Sequence, residues 1–358
     1  MKIGIEAERA NNPVKTGVEH YAKQLILNLA EIDKANSYSL YLRTPPEAWL
    51  LNLPENFKIK VMPFPVFWTQ IRLSIEMLMH PVDCLFIPAS ALPLVHPKKS
   101  VVTIHDLAWK FYPESFTWFM RNFLEWSTKF AVKNARTVIA VSQSTKNDLI
   151  KFYKVSSEKI KVIHHGYEVS GEPRATSGKL KLPEKYVLFL STLQPRKNLE
   201  GLIEAFKSLK RENLELPHKL VVVGRPGWKY QGILEKIRNS QETVVYLNHV
   251  SDEDRFKILI RADLLVLPSF YEGFGMQILE SFAAKVPVAA SNISSMPEVA
   301  GEAAVYFDPK NVSEIKNAIK SVLTDRSLSE SLKQKGLARL QNFSWEKCAE
   351  ETLKVLTA

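Results

Sequence analysis

Thirteen short apolar runs, separated by stretches with helical periodicity, limit the folds open to this chain more than any other feature. Seven lie in the first half, at Lys2 to Ala7, Tyr38 to Arg43, Phe57 to Met62, Asp83 to Ile87, Val101 to His105, Thr137 to Val141 and Lys161 to His165. Six follow in the second, at Tyr186 to Ser191, Leu220 to Gly224, Val244 to Leu247, Leu264 to Leu267, Val286 to Ala290 and Ala304 to Phe307. Leu220-Val221-Val222-Val223 and Leu264-Leu265-Val266-Leu267 are apolar at every position, so neither face of such a strand is meant for water. Strands of that kind belong to parallel sheets covered by helices on both sides, which makes the expected class α/β.

A length of 358 residues suggests two domains, each able to bury its own core. Gly166 to Lys185 has little apolar periodicity and carries Gly171-Glu172-Pro173 and Ser177-Gly178-Lys179, the composition of a linker. The expected division is a first Rossmann-like domain over 1–170, a linker over 171–185 and a second Rossmann-like domain over 186–343. Near the end, Ser344 reads as the N-cap of a helix running on past Trp345.

Composition narrows the class of partner. Lys and Arg number 48 against 38 Asp and Glu, a net charge of +10 that favours phosphorylated metabolites, acidic lipid surfaces or nucleic acid. The basic residues are scattered, and no helix-turn-helix, zinc-finger or aromatic RNA-binding signature is present, so nucleic acid is not an expected partner. Cys84 and Cys348 are the only cysteines, which excludes a four-cysteine zinc site and argues for a reducing compartment. No apolar run approaches the roughly 18 residues of a membrane-spanning helix. The opening Lys2-Ile3-Gly4-Ile5-Glu6-Ala7 reads as a strand and not a signal peptide, so a cytoplasmic location is expected.

In open parallel sheets, ligands bind beyond the carboxyl ends of the strands. Four such places carry chemistry. Val266 to Glu280 reads as strand, glycine loop and helix; Gly273 and Gly275 let backbone amides approach a ligand, and the helix start directs free N–H groups at an anion. Its acids Glu272 and Glu280 would lie roughly 12 Å apart along a continuous helix. Glycosidase carboxylates sit about 5 to 9.5 Å apart, so separate hydroxyl contacts suit this pair better than hydrolysis. After the next candidate strand, Arg196 and Lys197 offer a fork and a point charge suited to a diphosphate, with Asn198 as candidate helix cap, although a solvated basic turn would look the same. His105 is delivered by Ser100-Val101-Val102-Thr103-Ile104, either to brace a reacting group or simply as a hydrogen-bonded strand end. Gly17-Val18-Glu19-His20-Tyr21 follows the first strand without the three-glycine dinucleotide fingerprint. His164 and His165 would point to opposite sides of a strand. Phe119, Phe123, Trp126 and Phe130 share one helical face, which fits core packing or contact with a lipid surface or acceptor.

Together and in this order, these pieces resemble the retaining glycosyltransferases of family 4. Glu272 and Glu280 form that family's Glu-x7-Glu motif inside Tyr271-Glu272-Gly273-Phe274-Gly275, and Pro287 to Asn292 and Met296 to Gly301 resemble the text after it. The resemblance runs over nearly the whole chain, most strongly from Tyr186 to Pro309. It implies the GT-B architecture, two Rossmann-like domains facing across a cleft, with the last helix, 344–358, returning to the first domain and anchored by Trp345. Glu272 would hold donor-sugar hydroxyls and Glu280 the ribose. The amides of Phe274, Gly275 and Met276, with Gly273, would hold sugar and phosphates. Arg196 and Lys197 match the diphosphate-neutralising cations, Gly17 the amino-terminal glycine near the phosphates, and His105 the histidine beside the reacting carbon. The region around Val250 corresponds to the base pocket, and Gly224, ending its strand, belongs to the same donor surface. His165-Gly166 stands where the family commonly has Asn-Gly.

The function so implied is transfer of a sugar, anomeric configuration retained, from a nucleotide diphosphate to a hydroxyl of a glycan or lipid-linked acceptor. GDP-mannose is favoured as donor and UDP-glucose comes next. An epimerase or phosphorylase of the same architecture, or a silent nucleotide-sugar-binding protein, would share most of these features. No metal or other cofactor is expected beyond the nucleotide-sugar co-substrate, since the scheme places charge stabilisation on Arg196, Lys197 and the helix end. The expected location is cytoplasmic, with peripheral contact at an anionic inner membrane face. On this reading Glu272→Ala or Lys197→Ala removes transfer and leaves folding intact.

Overall fold

A computed structural model describes residues 1–13, 17–167, 181–248 and 250–358. The described chain forms two compact units. One holds Met1–Trp109, Thr117–Gly166 and Phe343–Ala358; the other holds Lys110–Phe116 and Tyr167–Asn342. All thirteen apolar runs are strands, within two residues at nearly every end. The exception is the Lys161 to His165 run, whose strand ends at Val162. Of the expected linker, 171–180 lie outside the described residues.

The first unit is built on β1 (Lys2–Glu6), β2 (Ser37–Leu42), β3 (Phe57–Val61), β4 (Cys84–Ile87), β5 (Ser100–Ile104), β6 (Thr137–Ala140) and β7 (Ile160–Val162). They pair in the order β3-β2-β1-β4-β5-β6-β7, every ladder parallel. The second unit holds β8 (Tyr186–Leu190), β9 (Lys219–Val223), β10 (Val244–Leu247), β11 (Leu264–Leu267), β12 (Val288–Ser291) and β13 (Ala304–Phe307), ordered β10-β9-β8-β11-β12-β13 and also parallel. Both sheets reverse strand order once, between β1 and β4 and between β8 and β11. At such a reversal the crossover helices leave for opposite faces, and the chain opens a crevice beyond the strand ends. The central strands β4, β8 and β11 are buried at every residue, as their unbroken apolar sequences require, and β5 is buried throughout although it carries Ser100 and Thr103.

The last helix, Trp345–Thr357, belongs to the first unit and packs on the Gly17–Ile32 helix. Ser344 caps it, its Oγ accepting from Lys347 N at 3.1 Å. Trp345 is buried against the rings of His20, Tyr21 and His165. Gly166 makes that seat: a Cβ there would lie 2.1 Å from Trp345 N and 2.4 Å from the Ser344 carbonyl carbon, so any side chain would strike backbone. Cys84 and Cys348 are buried and unlinked. Among the described residues, no helix is long and apolar enough to cross a membrane.

Two expectations need correction, and one open choice is decided. His164 and His165 lie beyond β7, not on a strand, because the chain turns away at Ile163 to bring Gly166 onto the last helix. Lys110–Phe116 lies with the second unit, which a division into contiguous stretches does not provide for. The Trp118–Asn134 helix packs through Ser127, Thr128, Ala131 and Val132, and leaves Trp118, Phe119 and Trp126 exposed. Its aromatic face is therefore not the core face.

Candidate active site

Arg196 and Lys197 follow β8, and Glu272 follows β11, so the two loops meet at the strand-order reversal of the second sheet. They are tied by the Phe270 amide, which donates to the Arg196 carbonyl at 2.8 Å. Lys197 Nζ donates to Glu272 Oε1 at 2.5 Å, and Arg196 Nη1 lies 3.5 Å from Glu272 Oε2. Arg196 is aimed by two further bonds, Nη1 to the Tyr271 carbonyl at 2.9 Å and Nε to Gln194 Oε1 at 3.1 Å. Ser269 Oγ donates to the same carboxylate at 2.7 Å. Lys197 and Glu272 are both buried. Burial alone would push the Glu272 carboxyl up, but the charges of Lys197 and Arg196 outweigh it and hold the group below its ordinary range. The two cations are no solvated turn; they are fixed around one ionised acid.

The loop after Glu272 is held open by hydroxyls. Ser294 Oγ accepts from the Glu272 amide at 3.1 Å, and Ser295 Oγ donates to the carbonyls of Glu272 at 3.0 Å and Phe274 at 2.9 Å. Gly275 has φ +96°, a left-handed turn that glycine adopts without strain, and the helix Met276–Ala283 starts directly after it. The amides of Gly275 and Met276 are thereby left outside the helix ladder, at its positive end. Phe111 stacks on Tyr271 with ring centres 4.6 Å apart, and Tyr112 Oη donates to the Phe270 carbonyl at 3.3 Å. Both brace the residues just before Glu272.

Glu280, one turn into that helix, is paired with Arg255 of the Asp252–Ile260 helix. Tyr167 lies close enough to both to feel their charges, although burial is the main reason its hydroxyl is pushed up to about 12. Val250 is half-buried between β10 and that helix. Gly224 directly follows β9, where a Cβ would meet the Ser191 carbonyl oxygen at 1.8 Å; its small size serves close backbone packing. Asn198 is not the side-chain cap expected of it. It takes a left-handed φ of 53° and donates from Nδ2 to the Pro309 carbonyl at 2.7 Å.

In the first unit, His105 stands just past β5 beside the reversal between β1 and β4. Its Nε2 and the carbonyl of Pro88, which follows β4, are 2.8 Å apart, so that nitrogen carries the proton. Burial pulls the ring below its ordinary pKa more than that bond and Asp106 raise it, so the neutral imidazole prevails at pH 7 and Nδ1 is an acceptor. Tyr21 packs edge-on against His105 and flat against His165. Gly17 opens the helix Gly17–Ile32, and a Cβ there would meet nothing within 4 Å. Glu6, buried at the end of β1, is raised to about 7 by burial, which outweighs the lowering by Arg9.

That shift sets a pH dependence. The folded chain keeps the Glu6 proton up to about pH 7, while the unfolded chain loses it above about 4.5, so the native state loses stability as pH rises through that window. Glu6→Gln is expected to raise stability at pH 8 by on the order of 3 kcal/mol and to change little at pH 4.5. Urea unfolding at the two pH values reads the difference; an equal effect at both would show that Glu6 is ionised in the native state.

Sequence reasoning did not find Arg255, Ser269, Ser294, Ser295, Phe111 or Tyr112. Ser269, three residues before Glu272, and the serine pair Ser294-Ser295 before Met296 were the local signals; Arg255, Phe111 and Tyr112 act across long sequence separations. Among the described residues, no group of three or more His, Cys, Asp or Glu is placed to hold a metal ion.

Two parallel-sheet Rossmann-like units define the GT-B class of sugar-transferring folds, and comparison with known proteins agrees. Residues 16–170 match the model of Glycosyltransferase Family 4 and residues 174–339 that of Glycosyl transferases group 1. The O-antigen chain mannosyltransferase B of Escherichia coli is 31% identical over 72% of this chain and 69% of its own length. The serotype-specific mannosyltransferase WbdA of Escherichia coli is 28% identical over 73% of this chain, which spans only 34% of that relative. The structure of Anabaena Alr3699/HepE in complex with UDP-glucose shares the fold, with a TM-score of 0.75 at 18% identity over 100% of this chain and 99% of that one. The chain belongs to this glycosyltransferase family.

Proposed function

We propose that the chain is a retaining glycosyltransferase that moves a sugar, mannose from GDP-mannose before glucose from UDP-glucose, to a hydroxyl of a glycan or lipid-linked acceptor. The observation that carries this reading is the convergence of Arg196 and Lys197 on buried Glu272, beside the Gly275 turn, at the reversal of the second sheet. Fixed positive charge and free amides at one strand-order reversal suit a diphosphate. The names of the O-antigen and serotype-specific mannosyltransferases support mannose, and the UDP-glucose complex supports a nucleotide-sugar donor in general.

On this reading the bond between the anomeric carbon and the diphosphate oxygen breaks as the acceptor oxygen bonds to the same face. The acceptor proton passes to the leaving phosphate oxygen, and no protein nucleophile takes part. Lys197, Arg196 and the amides of Phe274, Gly275 and Met276, with Gly273, take the charge that grows on the diphosphate. Glu272 binds sugar hydroxyls while fixing the direction of Lys197. Glu280 takes the ribose hydroxyls in exchange for Arg255, and Val250 and Gly224 line the base side. From the first unit, neutral His105 offers Nδ1 as an acceptor to a sugar hydroxyl, and Gly17 leaves room near the phosphates. Metal has no part in the scheme, and the reading keeps the reaction in the cytoplasm.

The test is a melting series with GDP-mannose, GDP, UDP-glucose and UDP in EDTA, followed by analysis of the product anomer. Ligand at a hundredfold excess over its Kd adds about 2.7 kcal/mol of stability. A rise with GDP-mannose, then a product of retained configuration, is the expected result. No stabilisation by any of the four would overturn the donor site, and an inverted product would overturn the mechanism.

A further inference from the structure

Behind His105, the first unit stacks three aromatic rings. Trp345, at the start of the last helix, lies nearly parallel to His165, with ring centres 6.0 Å apart and 26° between the planes. His165 in turn lies flat on Tyr21 at 4.8 Å and 29°. Tyr21 then meets His105 edge-on at 4.9 Å, and His165 meets it tilted at 5.4 Å. These are separations at which aromatic pairs attract. Buried His165 thus connects the last helix to the imidazole at the end of β5.

The hydrogen bond between Nε2 and the Pro88 carbonyl holds one corner of the His105 ring. A bond at one corner still lets the ring swing about it, and the direction of Nδ1 swings with the ring. Two neighbours limit that motion. Tyr21 is kept from retreating because its Oη lies 3.1 Å from Thr103 Oγ1 on β5, the strand that delivers His105. His165 has Trp345 behind it, and Trp345 is held in turn by the Gly166 seat and by His20, edge-on at 5.8 Å. Burial, with His105, His20 and His164 nearby, keeps the His165 imidazole well below its usual range, so it adds no positive charge behind His105 at pH 7. The family that the chain resembles commonly has asparagine at this position, which has no ring to stack. The stack therefore comes from this chain's own departure.

We propose that His165 is a positioning residue for sugar transfer, its ring fixing the plane of His105 and so the direction of Nδ1. It acts only through His105, and it rests on the part given above to that residue as an acceptor to a donor-sugar hydroxyl.

Two measurements on the full chain test it: release of GDP from GDP-mannose or of UDP from UDP-glucose, with water as the acceptor, and long-range proton–nitrogen spectra of the imidazoles. His165→Leu and His165→Asn, which lack a ring, are expected to lower kcat about ten- to a hundredfold with KM within about twofold, since a misplacement of about 1 Å costs on that order. His165→Asn carries the family's common residue and is expected to fold. His165→Phe keeps a flat face and should come within about threefold of the parent rate. The spectra need no donor. His105 should show Nε2 protonated in the parent and in His165→Phe, and a mixture of both tautomers in the two variants without a ring. Parent-like rates or a parent-like His105 spectrum in those two would overturn the proposal, as would a phenylalanine variant as slow as the leucine one. A parent that releases no nucleotide, or a His105→Ala variant that turns over like the parent, fails the reading of His105 instead, and the spectra then decide whether His165 fixes the ring.

Discussion

Lys197→Ala is expected to lower sugar transfer by about 10²- to 10³-fold, the loss typical of one fixed donor at a charge-developing site. It is also expected to destabilise the chain by about 3 kcal/mol, because Glu272 would remain buried and ionised without its nearest partner. The second effect departs from the sequence reading, which has folding intact on the assumption that both groups sit on an open ligand surface. Arg196 at 3.5 Å and the Ser269 hydroxyl soften the loss without removing it. Lys197→Ala/Glu272→Ala separates the two roles: taking out both charges should restore most of the melting temperature and none of the activity. A single variant that melts like the parent would show that the pair contributes nothing to the fold.

Gly166→Ala should be among the most damaging substitutions outside the site. Its methyl group would sit 2.1 Å from the Trp345 amide nitrogen, and backbone cannot rotate aside as a side chain can. Either the loop that carries Gly166 or the whole Trp345–Thr357 helix must shift, at a cost of about 3 kcal/mol or more. Thermal unfolding measures the loss, and Trp345 emission should move to longer wavelength if the helix is the part that yields. A melting point within about a degree of the parent would mean that the contact relaxes freely, since even 1 kcal/mol shifts a chain of this size by about 2 °C.

Much of the architecture was readable because parallel strands announce themselves. Leu264 to Leu267 and Tyr186 to Leu190 are apolar on both faces, and only a sheet covered on both sides has a use for that. The site positions followed from the same logic, since residues just past those strands had to lie at the sheet's carboxyl edge. What could not be read were relations between distant segments. Arg255 and Glu280 come from separate helices, and nothing local marks them as partners. The Trp118–Asn134 helix shows the limit of periodicity most clearly. A stripe of aromatic residues tells where one face of a helix lies, but the direction of the core depends on neighbours elsewhere in the chain. His165 was misplaced for a related reason: the apolar run continued past Val162, while the close approach of Gly166 to Trp345 required the chain to leave the sheet.

The assignment of Lys110–Phe116 to the second unit bears on how such enzymes can diverge. A second unit exchanged between relatives by recombination at 167 would arrive without Phe111 and Tyr112, and Tyr271 would lose the ring stacked against it. The second unit is thus not encoded by one contiguous stretch of gene. A heptapeptide encoded far upstream must travel with it, or co-evolve after the exchange.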